Sequence, residues 1–171
     1  MKKIKDILLS FLKSRESSAQ SNQKSKNQKR NNMNYLIKKY EGCSLKAYKC
    51  PAGVWTIGYG TTVYPDGAPV KQGDTIIQAK ADALLIDYVI NQIEPHIQDL
   101  YLTDNQKEAL TSLIYNIGWP AFSKSKCYKA IKAGDLCTAY VEWEWIKAGG
   151  KVLPGLIKRR AEEKYLFFCE I

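Results

Sequence analysis

After residue 33 the apolar residues recur at two spacings, and these divide the chain into helices and extended segments. A spacing of three to four marks a helix with one buried face, while β-branched and aromatic residues crowded between turn formers mark strand. Tyr35, Leu36, Ile37 and Tyr40 predict a short helix over residues 33–40, with Asn34 placed to cap it. Val54, Trp55, Ile57 and Tyr59 in VWTIGYG favour extended chain, and Pro65-Asp66-Gly67 makes a turn. A small two- or three-stranded sheet is therefore predicted over residues 54–70. Thr75 and Gln78 stand at capping-box spacing ahead of a long helix that carries Leu84, Leu85, Tyr88, Val89 and Ile93, with Pro95 near its end. Thr103 and Gln106 repeat the spacing ahead of Ala109, Leu110, Leu113, Ile114 and Ile117. Gly118 ends that helix and Gly134 the next. Asp135 is placed to cap another, running to about Ala148, and Pro154 suits the first turn of the last, which reaches about Cys169. The pattern is a helix-rich α+β domain without internal repeats.

Residues 1–32 read differently. Ile4, Ile7, Leu8, Phe11 and Leu12 lie at helical spacing among lysines over residues 1–13. This stretch has two readings: an amphipathic helix in peripheral contact with an anionic membrane, or a weakly amphipathic extension in solvent. Its apolar core, ILLSFL, is short for a secretory signal, and no clear cleavage pattern follows. Residues 14–32 are Ser, Gln, Asn, Lys and Arg almost throughout, which cannot offset the entropy of ordering, so a disordered linker is expected. The organisation is a basic tail over 1–32 followed by one cored domain over 33–171, expected to be a monomer.

Charge sharpens this division. Most of the net charge of +9 belongs to the tail, where residues 1–33 hold nine Lys or Arg against Asp6 and Glu16. The remainder is nearly balanced, which argues against a nucleic-acid partner, since such a fold carries its basic face itself. Cys43, Cys50, Cys127, Cys137 and Cys169 are odd in number and lack CxxC spacing, and His96 is the single histidine. Neither a zinc site nor any other cofactor is expected, and the thiols are read as reduced, in a protein made in a cytoplasm.

The chemistry concentrates in residues 41–60, EGCSLKAYKCPAGVWTIGYG. A turn-rich segment between helix end and strand can aim the acid of Glu41, the thiol of Cys50 and the hydroxyl of Thr56 into one cleft. A carboxylic acid in a partly apolar cleft stays protonated near neutral pH because burial disfavours its charged form. Tyr48, Trp55 and Tyr59 are near enough in sequence to wall Glu41; the plain alternative is a solvated glutamate at a helix end. A useful Cys50 needs a depressed thiol pKa, for which Lys46 and Lys49 are near; the plain alternative is a buried inert thiol. Thr56 alone would read as a strand threonine. Trp119, Trp143 and Trp145 are read as core rather than as a sugar-stacking surface, and His96 as exposed or capping.

Glutamate, eight residues, cysteine, five residues, threonine resembles the signature of the phage-type lysozymes, glycoside hydrolase family 24, where aspartate or cysteine takes the second place. The likeness continues through WTIGYG, YNIG at Tyr115 to Gly118, GGKVLPGL at Gly149 to Leu156, and Arg159–Arg160, covering about residues 34–168. It implies a lysozyme-like α+β fold, with a small sheet lobe and a larger helical lobe joined by a long helix, and a cleft between them. It implies a muramidase that hydrolyses the β-1,4 bond between N-acetylmuramic acid and N-acetylglucosamine in peptidoglycan, made in the host bacterial cytoplasm and acting on the wall after release. Glu41 takes the place of the general acid, and Cys50 and Thr56 support the attacking water. Asn116 and one of Arg159 and Arg160 take places that line the cleft and bind substrate. Many relatives continue the strand as Gly-His-Thr; this chain has Gly60-Thr61-Thr62, so the stability of a histidine partnership must come from elsewhere. The alternatives are a lytic transglycosylase on the same substrate, a cysteine peptidase using Cys50 and His96, and a non-catalytic wall-binding protein anchored by its tail.

Overall fold

A computed structural model of the chain describes residues 34–169; the predicted tail, with its amphipathic stretch and linker, lies outside the described residues. Helix α1 (Tyr35–Glu41) opens the fold. Seven residues are too few for a helix to persist alone, so packing of the buried Leu36 and Ile37 fixes it. Asn34, expected to cap α1, makes no side-chain cap bond; its backbone, at φ −110° and ψ 23°, is away from the extended geometry a cap needs. The cap comes instead from Glu108, 72 residues later, whose Oε1 accepts the Leu36 N–H at 2.9 Å.

Gly42, at φ 67°, turns the chain out of α1 into β1 (Ser44–Lys49), which pairs antiparallel with β2 (Trp55–Gly58). The expected sheet is thus corrected at both ends. β1 falls in the stretch read as turns, because SLKAYK buries no side chain and so shows no alternation. Beyond Gly58 only isolated bridges follow, Ile57 with Thr61 and Val63 with Pro69. The hairpin loop is closed by the Cys50 N–H on the Val54 carbonyl (3.0 Å) and the Gly53 N–H on the Cys50 carbonyl (2.8 Å). Gly53 takes the positive φ, 78°, that this turn requires.

The long helix is α2 (Gln78–Tyr88), one π turn (Val89–Ile93) and α3 (Glu94–Ile97) in succession. The Thr75–Gln78 capping box does not form. Thr75 bridges to Lys46, Ile77 holds the cap position, and the Gln78 amide donates to the Tyr59 hydroxyl at 3.0 Å. Pro95 removes an N–H and crowds the preceding turn, and the widened π turn just ahead of it absorbs the conflict.

Helix α4 (Asp104–Ile117) runs through the core, with Ala109, Leu110 and Leu113 wholly buried. Its predicted capping box is present: Gln106 N–H meets Thr103 Oγ1 at 3.2 Å, and Thr103 N–H meets Gln106 Oε1 at 3.0 Å. Around it lie α5 (Trp119–Phe122), α6 (Lys126–Ala133), α7 (Leu136–Glu142) and α8 (Pro154–Phe168), the last packed along α4. Asp135 caps α7 as expected, accepting the Thr138 N–H at 3.0 Å. That helix stops at Glu142, well short of Ala148. Trp143 leaves helical geometry to bury its indole, and the chain then forms a small hairpin of β3 (Lys147–Ala148) and β4 (Lys151–Val152). Trp119 and Trp145 pack partly buried against the core, in keeping with their bland reading.

Burial raises the Glu108 carboxyl from 4.5 to about 7, against the lowering effect of the Leu36 and Tyr35 N–H groups. The folded state therefore holds a proton that the unfolded chain releases, so this stabilisation is complete below pH 4.5 and lost as pH rises through about 7. Urea unfolding across that range should show stability falling by on the order of 3 kcal/mol, and Glu108→Gln should flatten the slope.

Candidate active site

Glu41 ends α1, and its carboxylate points at the buried end of α8. Arg159 Nη1 donates to Glu41 Oε1 at 2.5 Å; the glutamate side chain is 25% exposed and that of the arginine 3%. The rest of the guanidinium faces inward. Nη2 donates to the Ser112 carbonyl (3.0 Å) and hydroxyl (3.2 Å), and Nε to Glu163 Oε1 (3.1 Å). Tyr40 lays its ring 5.5 Å from the guanidinium carbon, and its hydroxyl donates to Glu162, which also pairs with Lys39. One oxygen of the acid is thereby fixed, while Oε2 carries no hydrogen bond to the described residues.

Arg160 turns away from Glu41. It is buried on Glu163, with Nη2 donating to Oε1 at 3.0 Å and Nε 2.7 Å from Oε2, near in distance but poorly aligned for a hydrogen bond. Ser112 Oγ (2.6 Å) and the Trp143 indole N–H (3.4 Å) complete the shell of Glu163. Of the two arginines expected near the cleft, Arg159 reaches the acid and Arg160 serves the interior; neither guanidinium lies open to a sugar. Ser112 and Glu163 were missed at the sequence level. Glu163 stands four and three residues after the two arginines, a helical ion-pair spacing that was visible in RRAEE.

Cys50 and Thr56 flank the β1–β2 loop. The thiol pKa is lowered, chiefly by the backbone N–H of Val54 and then that of Ala52, with a smaller contribution from the Thr56 hydroxyl. Lys46 and Lys49 are not the cause; Lys49 lies over the Trp55 ring at 5.4 Å. The Thr56 hydroxyl also lies 3.1 Å from the Val54 carbonyl, and with one proton to give it serves one acceptor at a time. A thiolate at Cys50 is the stronger claimant.

A groove of about 720 Å³ is lined among others by Gly60, Thr61, Tyr64, Asp87, Tyr88 and Tyr115; Glu41, Cys50 and Thr56 are not among its lining residues. Tyr115 donates to the Tyr59 carbonyl at 3.0 Å and meets Tyr88 edge-on at 5.2 Å. Burial and then the Glu41 charge push the Tyr115 phenol above its usual range, which puts the carboxylate within electrostatic reach of the groove. Asn116 follows Tyr115, half-buried, and is not among the lining residues. Asp82 of α2 accepts from Tyr59 Oη (3.1 Å) and pairs with Lys38 of α1 at 2.8 Å. His96 stacks on Trp119 with ring centroids 4.2 Å apart.

A small antiparallel sheet beside a helical core, with an arginine-held glutamate at the end of α1, is the arrangement of a lysozyme-like hydrolase. The phage lysozyme family model matches residues 38–163, and the chain belongs to that family. The endolysin of Acyrthosiphon pisum secondary endosymbiont phage 1 is 44% identical over 140 residues, spanning 77% of this chain and 92% of its own. Among solved structures, a variant of P22 lysozyme superposes with a TM-score of 0.70 at 36% identity, covering 80% of this chain and 94% of that one. The muramidase domain of SpmX from Asticaccaulis excentricus gives 0.68 at 34%, with the same coverage. The chain is a peptidoglycan-lytic endolysin of the phage type, a hydrolase that acts on the bacterial cell wall.

Alkylation by iodoacetamide, followed by peptide mass across pH, should show Cys50 reacting with a lower midpoint than the exposed Cys43, Cys137 and Cys169. Thr56→Val should move the Cys50 midpoint upward and leave the other three in place.

Proposed function

We propose that the chain is a muramidase, cleaving the β-1,4 bond between N-acetylmuramic acid and N-acetylglucosamine. The observation that carries this reading is the Glu41 carboxyl at the end of α1, held through Oε1 by the buried Arg159 and with Oε2 unbonded to the described residues. Protonated Glu41 delivers its proton from Oε2 to the leaving glycosidic oxygen and ends as the carboxylate that Arg159 holds. Cys50, as thiolate, takes a proton from the attacking water, and the Thr56 hydroxyl orients that water. Asn116 takes the place that the resemblance gives to a residue bonding sugar acetamido groups, although it does not line the groove, and Arg159 acts through Glu41 rather than on substrate. The structural neighbour described as a muramidase domain supports the choice of bond. The protein is made in the cytoplasm of a bacterial host and meets its substrate after release; among the described residues no helix is long and apolar enough to cross a membrane.

A lytic transglycosylase would use the same acid and close the muramic ring on itself, leaving no role for the Cys50–Thr56 pair. The cysteine peptidase alternative needs a base on the thiol. The groups on Cys50 are backbone amides and Thr56, whereas His96 stacks on Trp119.

Purified peptidoglycan should release new reducing ends, with products one water heavier than anhydro sugars, and Glu41→Gln should lose this activity by about a thousandfold or more. Cys50→Asp should retain activity and Cys50→Ala lose most of it. Full activity in Cys50→Ala removes the sulfur from the mechanism, and a glycosyl adduct on Cys50 replaces the water role by direct attack.

The domain division has its own test. Deleting residues 1–32 should leave hydrolysis of soluble glycan fragments within about twofold of the full chain, because every residue assigned to the site lies in the domain over 33–171. Loss of that hydrolysis would make the tail part of the catalytic unit.

A further inference from the structure

We propose that Glu108 is a positioning residue of the glycosidase, setting the place of Glu41 through the first turn of α1. The inference rests on the acid role assigned above to Glu41. Three observations bring it together.

First, α1 has seven residues, carries no cap of its own and ends on Glu41. From Leu36 to Glu41 is about one and a half turns, a rise of about 7.5 Å, so a shift at the start of the helix is passed to its end with little to absorb it. Second, both ends are held by the same neighbour. Glu108 of α4 takes the Leu36 N–H at 2.9 Å. One turn further along α4, Ser112 takes three hydrogen bonds from Arg159, whose Nη1 holds the Glu41 carboxylate. The register between α1 and α4 thus decides where the acid stands relative to the arginine.

Third, this cap is an expensive one. Glu108 is 4% exposed and its Oε2 has no hydrogen-bond partner among the described residues. Burying a carboxyl with one oxygen unserved costs free energy that a local Asn, Ser or Thr cap does not. Asn34 occupies the local cap position and does not cap. A distant, buried carboxyl adds what a local cap cannot, a direct bond from the acid's helix to the core helix that also orders Arg159.

The test is steady-state kinetics on a soluble glycan fragment, with folding followed by circular dichroism at the assay temperature. Glu108→Ala should lower kcat by about tenfold with KM unchanged within about twofold, the mark of a misplaced acid rather than of lost binding. Glu108→Gln keeps an acceptor for the Leu36 N–H and should stay within about twofold of wild type. Leu110→Ala, a core change on the same helix, serves as the stability control and should keep its kcat while losing melting temperature. A folded Glu108→Ala with wild-type kcat overturns the proposal, as does an equal kcat loss in Leu110→Ala. Should Glu108→Ala fail to fold, Glu108→Asp decides: one methylene short of Leu36, it should lower kcat, and wild-type kcat in that variant overturns the assignment. A wild-type protein that releases no reducing ends overturns the glycosidase reading itself, and the two failures are told apart.

Discussion

The structure depends on one buried guanidinium. All three nitrogens of Arg159 are engaged, and they join α8 to α4 through Ser112, to its own helix through Glu163, and to α1 through Glu41. Desolvating these charges is costly, and their mutual attraction offsets the cost where the geometry is good, as it is at Arg159; Arg160 Nε and Nη1 make no hydrogen bond to the described residues. Two arginines are set against two glutamates, so the cluster is electrically closed. Removing one member leaves an uncompensated charge in the interior. The acid therefore owes its orientation to the helical core, and the loop that follows it has little part in that.

The other half of the chemistry stands on a different footing. Cys50 and Thr56 belong to a two-stranded ribbon and take their character from local backbone geometry. Pro51 and Gly53 lie in the loop, and the backbone amides of Val54 and Ala52 lower the proton affinity of the sulfur without the help of a charged side chain.

Much of this was legible in the residues, and the failures share a cause. Periodic helices with strong caps, such as the one opened by Thr103 and Gln106, follow from local chemistry and appear where expected. The Asn34 and Thr75 caps fail because tertiary partners, Glu108 and Tyr59, took over the groups concerned. β1 is silent in sequence because neither of its faces is buried. At the site, spacing drew attention to Glu41, Cys50 and Thr56; the last two flank one hairpin loop, and Glu41 is held separately by Arg159. Which arginine serves the acid was not readable, since adjacent helical residues differ by about 100° in direction and only packing selects between them.

The sheet lobe is thinly rooted. Between residues 42 and 76 the buried apolar side chains are Ile57, Tyr59 and Val70, whereas the helical lobe encloses a continuous core. Cooperative units with so few buried contacts open at lower free energy than the whole molecule. On warming, the ribbon that carries Cys50 and Thr56 should therefore loosen while Glu41 remains clamped to Arg159. The two halves of the candidate site would then part in two stages rather than one.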